Sequence, residues 1–370
     1  MSPTELSTAE TRLRHSDYIA TLRPLLPADA FRPNTRAFLP IALHITIIVC
    51  CWAAIRELPH RTWWPLIVIL IGNSSACMAF LAHDFAHKSV TKNRALLYPL
   101  ELVLWGFNLF PATLWRRVHA AHHVHTNGTH DPDRRFLASE LSLSGTVAAA
   151  TLYPNKLKWN IGFWLQWFVY GIRHALTAFF YSGSDKPGYV TARPIYQPGD
   201  RVWIALEIGF IAAWQFALWL FLGQAAKLVA VTLIPVAFTS AVVSWYFYTN
   251  HSLNPVDDGN DILAASTSVI VPPLFNMLHS NFAYHTEHHL FPTMNSAYYP
   301  LVSTLLQQHF PERYQRLPIW RAWSILLRNP IATSRRGAIG TDAARDTAPM
   351  AAPQQRQSSS APYSRYAGSH

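Results

Sequence analysis

The chain has 370 residues, half of them hydrophobic and only 14% charged, with a formal charge of +10. Soluble domains carry about a quarter charged residues, so this composition argues against two or three soluble domains and for a surface that faces lipid. The basic balance fits an anionic membrane rather than nucleic acid, because the Arg and Lys residues flank apolar segments instead of forming dense runs with interleaved aromatics.

Residues 1–36 mix charges and prolines, and the sequence predicts a cytoplasmic N-terminal segment lying on the membrane surface or loosely ordered. No apolar core follows a short basic start, so a cleaved signal peptide is not expected. Ala37 to Ile55 predicts a first spanning helix, since about 20 apolar residues cross the hydrocarbon core. After a turn at Arg56 to Arg61, Trp63 to Ala82 predicts a second span, with Trp63 and Trp64 suited to the interface. Val202 to Leu222 and Leu228 to Tyr248, joined by Gly223 to Lys227, predict a second hairpin.

Three other apolar stretches are expected to lie in or dip into the membrane face. Ala95 to Leu114 contains Pro99, Glu101, Asn108 and Pro111. Ile161 to Tyr181 carries Arg173 and His174 and resembles an interfacial amphipathic helix. Val269 to Leu278 is short and holds Pro272 and Pro273. From about Gly337 the chain is rich in Ala, Ser, Gln, Pro and Arg, which predicts a disordered tail over 337–370. The expected fold is therefore an all-α integral membrane protein with four spans in two hairpins, its membrane domain covering 37–336. Cys50, Cys51 and Cys77 all fall in apolar segments and suggest neither a disulfide framework nor a thiolate zinc site.

The chain holds eighteen histidines, and three clusters stand out. These are His83-Asp84-Phe85-Ala86-His87, His119-Ala120-Ala121-His122-His123 and His285-Thr286-Glu287-His288-His289. Helical positions i, i+3 and i+4 share a face, so the first cluster points two imidazoles one way and the others a trio each. His251, just past the fourth span, is a ninth candidate; His125, His130 and His279 lie beside the clusters. With two hairpins, an even number of crossings separates every cluster from every other, so all lie on one side. That side carries most of the Arg and Lys and is expected to be cytoplasmic. So many imidazoles exceed what one structural zinc requires, and two metals are the economical reading. Iron is favoured because it activates oxygen, while donor count alone leaves zinc and copper open.

Together these residues resemble the three histidine boxes of the membrane fatty acid desaturases. The second box is similar over Arg117 to His123, with Asp131-Pro132-Asp133 following, and the third over His285 to His289 with Leu290-Phe291-Pro292 after it. The resemblance covers roughly Ala37 to Leu305. It implies a cytoplasmic helical cap holding two iron ions through His83, His87, His119, His122, His123, His251, His285, His288 and His289. Asp84 and Glu287 would hold ring tautomers by hydrogen bonding. It further implies O2-dependent desaturation of a fatty acyl chain, with electrons from an external donor such as a ferredoxin or a cytochrome b5-like protein and its reductase. Front-end desaturases usually have Gln where His285 stands and often carry a fused cytochrome b5; no His-Pro-Gly-Gly haem motif occurs, so a separate carrier is expected.

A carotenoid ketolase or hydroxylase shares the box pattern, and Leu290-Phe291-Pro292 inclines the reading toward acyl substrates. An acyl acetylenase or hydroxylase differs only in outcome at the same centre. A non-enzymatic metal-binding or transport protein would place its ligands at the membrane midplane, whereas these fall at span ends.

Overall fold

The computed structural model describes residues 13–58, 61–133, 159–181, 195–256, 258–259 and 261–328. Along the chain run α1 (His15–Leu22), α2 (Phe38–Glu57), α3 (Trp64–Ala86), α4 (Arg94–Gly106), α5 (Ala112–His125) and α6 (Trp159–Leu176). Then follow α7 (Asp200–Leu222), α8 (Ala225–Val231), α9 (Leu233–His251) and α10 (Ile262–Ala265), and β1 (Ser268–Ile270). The remainder is α11 (Pro273–Leu278), α12 (His285–Leu290), α13 (Tyr299–His309), β2 (Arg316–Pro318) and α14 (Ile319–Arg328). Apart from the short parallel pair of β1 with β2, the described fold is helical.

Four helical stretches are long and apolar enough to cross a membrane: Thr35–Glu57, Arg61–Ala86, Asp200–Leu222 and Ala225–His251. They form the two expected hairpins. The apolar stretch of α3 is 72% buried against 28% for α2 and 22% for α7, so α3 is the central helix and the other two face lipid. Gly223 ends α7 in the left-handed region (φ +71), its N–H bonded to the Trp219 carbonyl, which lets the second hairpin turn tightly. The connection is shorter than the expected Gly223 to Lys227, because α8 begins at Ala225. That last span is also two helices, broken at Thr232 (φ −125, ψ −69) where Pro235 lacks the N–H that would reach back to the preceding turn.

Ala95 to Leu114 does not form one long helix. Helix α4 stops at Gly106, Leu109 takes a positive φ of 54°, and Pro111 opens α5. Helix α6 lies along α9: the Trp167 N–H donates to Ser240 Oγ (3.0 Å), and Ser240 Oγ donates to the Phe163 carbonyl (2.6 Å).

Residues 13–36 are folded rather than loose. Tyr18 donates to Asp261 (2.9 Å), the Asn295 N–H to the Ala30 carbonyl (2.9 Å) and the Asn34 N–H to the Ser89 carbonyl (2.8 Å). Tyr18, Leu22 and Ala30 are fully buried, so apolar contact outweighs the segment's charges and fastens it to α10, α12 and α13. The tail over 337–370 lies outside the described residues.

Candidate metal centre

Helix ends bring the histidines together. His83 lies in the last turn of α3 and His87 caps it; His119, His122 and His123 share a face of α5; His251 ends α9; His285, His288 and His289 sit on α12. Three buried carboxylates aim α5. Glu207 accepts from the Thr113 N–H (2.9 Å), the Thr113 hydroxyl (2.6 Å) and Tyr98 (3.0 Å); Arg116 donates to Glu101 and Arg117 to Asp200 (both 2.9 Å). Each such charge in an apolar setting requires a partner, and these partners fix the register of α5 against α4 and α7.

Nine side chains form two groups. His83, His87, His119, His123 and His288 make the first, and His122, His251, His285 and His289 the second; within each, the ligating nitrogens lie within 4.8 Å of one another. In the first, Nε2 of His119 lies 2.7 Å from that of His87 and 3.0 Å from that of His123, which is 3.0 Å from that of His288. In the second, Nε2 of His285 lies 2.6 Å from that of His251 and 3.1 Å from that of His289. Adjacent ligands on an ion with bonds of about 2.1 Å stand roughly 3 Å apart, so the donor sets fit a cation in each group. Box two and box three feed both groups, which therefore adjoin.

The outward ring nitrogens agree. His122 Nδ1 faces both oxygens of Asp131 (2.8 and 3.0 Å) and His251 Nδ1 faces the Ala265 carbonyl (3.3 Å). Both acceptors require an N–H, leaving the Nε2 lone pair inward. His288 Nδ1 pairs with the Tyr299 hydroxyl (3.1 Å) and His289 Nδ1 with that of Thr126 (3.2 Å). His83 Nε2 is buried with no partner, an orphan that a metal would satisfy. Burial, followed by neighbouring imidazoles, holds His87, His119, His123, His285, His288 and His289 well below the usual histidine range, so they are neutral as ligands must be. His122 differs: burial pulls it down, but Asp131 outweighs that and raises it.

The fatty acid desaturase family model matches residues 61–322. The chain belongs to the fatty acid desaturase family. It is similar to an acyl-lipid (7-3)-desaturase of Rebecca salina, 25% identical over 285 residues that cover 69% of this chain and 61% of the relative. It is also similar to a Delta 8-(E)-sphingolipid desaturase of Komagataella phaffii, 32% identical over 102 residues, 26% of this chain and 18% of the relative. The chain thus spans less than two thirds of the length of these relatives. As a family member with four candidate spans it is a multi-pass membrane protein with a histidine-rich metal site.

The two carboxylates singled out by family resemblance fare differently. Asp84 Oδ1 is 3.4 Å from His83 Nδ1, and Ser296 donates to its other oxygen at 3.4 Å. Glu287 does not hold a ring: Ser268 donates to one of its oxygens (2.5 Å) and Tyr314 to the other. One or two residues from His285, His288 and His289, it points off their face of α12 and ties that helix to β1 and to the segment before β2. Its buried carboxyl is raised by desolvation, against the hydrogen bonds that lower it. The tautomer-holding carboxylate is Asp131, nine residues beyond His122; its signal was the Asp131-Pro132-Asp133 run after the second box.

The rings of His125 and His130 meet edge to face with centres 5.8 Å apart, and neither joins a group. His279 pairs through Nδ1 with the Tyr246 hydroxyl (2.9 Å), and His44 with Ser74 (3.2 Å). A cavity of about 110 Å³ touches both groups through His83, His119, His122, His251 and His285, and is walled by Trp115, Trp167, Phe247 and Phe282.

Proposed function

We propose that this chain is an O2-dependent fatty acyl desaturase whose two histidine groups each hold an iron ion. The observation that carries the reading is the convergence of nine histidines, most of them buried, into two adjoining donor sets beside an aromatic-walled cavity. With O2 and two electrons from an external carrier, bound iron would supply the oxidising power that turns two adjacent methylenes into an alkene, and two protons balance the two waters released. His83, His87, His119, His123 and His288 would hold one ion, and His122, His251, His285 and His289 the other. Asp131, the Ala265 carbonyl, Tyr299 and Thr126 keep the rings from rotating. Trp115, Trp167, Phe247 and Phe282 offer apolar walls that orient an alkyl chain and exclude water.

The relatives' names, an acyl-lipid and a sphingolipid desaturase, support a lipid hydrocarbon chain over a carotenoid. The Arg and Lys distribution supports a cytoplasmic site, and a ferredoxin or cytochrome b5-like protein is the fitting electron donor. The test is expression in a host of known lipid profile, with mass spectrometry of fatty acids and pigments. A new double bond, lost in His288→Ala, is expected; altered carotenoids with unchanged fatty acids would sink the acyl reading. Metal analysis of the purified protein should give about two irons per chain, and a stoichiometric zinc content would count against iron.

A further inference from the structure

A second cavity, of about 360 Å³, lies beside the metal cavity and plays no part in holding metal. Its volume falls in the range of small-molecule sites. Its walls are Phe163 and Trp164 of α6, Ala241, Val242, Trp245 and Tyr246 of α9, Val271, Pro272, Phe275 and His279, and Ile319 of α14. On α9, Val242 and Tyr246 face this cavity, while Val243 and Phe247 on the neighbouring stripe face the metal cavity. Tyr246 and Phe282, with ring centres 5.8 Å apart, stand between the two.

Depth and exposure point to what fills it. Ala241 and Tyr246 precede His251 by ten and five residues, which puts them about 15 and 8 Å further along α9 toward the membrane interior. Three wall residues reach the outer surface there: Trp164, Trp245 and Phe275 are 44, 42 and 45% exposed. Around them Leu274, Met277 and Trp320 are more exposed still, an apolar rim that bilayer lipid would cover. Among the described residues no lysine or arginine lines either cavity. Phosphate groups call for cations, so the described walls suit an alkyl chain, and their opening onto bilayer lipid suits one that arrives from the membrane.

We propose that the larger cavity holds the methyl-terminal part of an acyl chain still attached to a membrane lipid, which slides in sideways from the bilayer between α6, α9, α11 and α14. The inner carbons then lie past Tyr246 and Phe282 in the metal cavity. This rests on the acyl reading above and adds the carrier and the route.

The test uses the full chain in phosphatidylcholine vesicles containing a phosphatidylcholine with a diazirine near the methyl end of one chain. After photolysis, adducts are expected on Ala241 to Tyr246 and Val271 to Phe275. Ala241→Trp, and independently Val242→Phe, should weaken that labelling about tenfold with metal content and labelling of α2 unchanged. Labelling that is uniform over the lipid-facing helices and indifferent to both variants would overturn the proposal. In host membranes supplied with reductant, isotope-labelled stearoyl-phosphatidylcholine should be desaturated in place, and conversion of the coenzyme A ester alone would overturn it. Specific labelling without any desaturation would instead remove the proposed activity and leave the site standing.

Discussion

Asp131 and the Ala265 carbonyl set the tautomers of His122 and His251, so each ring presents a lone pair to the second group. Groups of this kind change metal affinity by about 10–100-fold when removed. Asp131→Ala should therefore weaken metal binding in that range in a chelator-buffered titration read by elemental analysis, with Asp131→Asn in between; wild-type affinity in both would refute the role. The box spacing made the eight clustered histidines legible as one pair and two trios, each sharing a helix face. The Asp131-Pro132-Asp133 run marked Asp131's place but not its role, which depends on the chain folding back after α5; Glu287 is turned off the histidine face of α12, onto Ser268 and Tyr314. His279 shows a different residue-scale effect. Burial lowers it to about 4 from an unfolded 6.5. Between those values the unfolded chain binds a proton that the folded chain does not, so this residue's contribution to stability is full above pH 6.5 and falls with acid, by about 2 kcal/mol at pH 5. Thermal unfolding in detergent at pH 7.5 and 5 should show that loss, and His279→Gln should reduce it; an unchanged slope in the variant would contradict the assignment.

Helices α3 and α9 carry His83 and His251, and their approach depends on Gly72. A Cβ there would lie 2.8 Å from Phe238 Cβ, an atom fixed to the backbone that cannot swing away. Gly72→Ala should destabilise the fold by about 1–3 kcal/mol and, by parting the two helices, lower metal occupancy as well. Gly209, whose added Cβ would meet nothing within 4 Å, supplies the control. Melting temperature and metal per chain in Gly72→Ala and Gly209→Ala decide it; equal values would show that the crossing tolerates the methyl group. At this scale hydropathy located the four spans but ended two of them early, since the helices run on to Ala86 and His251. The last turns hold His83, Asp84, Asn250 and His251, polar residues that tertiary packing keeps helical and that apolarity cannot reveal. The folding of residues 13–36 was hidden for a related reason: Tyr18, Leu22 and Ala30 bury against partners more than two hundred residues away in sequence, such as Asp261 and Asn295.

Membrane sidedness belongs to the whole molecule. The histidine groups draw on the ends of α3 and α9 and on α5 and α12, and a shared ion cannot straddle a bilayer, so the chain must cross an even number of times between any two of them. The break of α4 at Gly106, with Leu109 in the left-handed region, satisfies that parity by turning the Ala95 to Leu114 stretch back before it can cross. Gln224, exposed in the turn of the second hairpin, then lies on the face opposite Lys92, which is exposed just after the first histidine pair. With Cys50, Cys51 and Cys77 replaced by alanine, single cysteines at Gln224→Cys and Lys92→Cys should react with a membrane-impermeant maleimide from opposite sides of sealed vesicles. Lys92→Cys should label only in inside-out vesicles if the centre faces the cytoplasm. Labelling of both from one side would mean an even count of crossings between them, and the two-hairpin arrangement would fall with it.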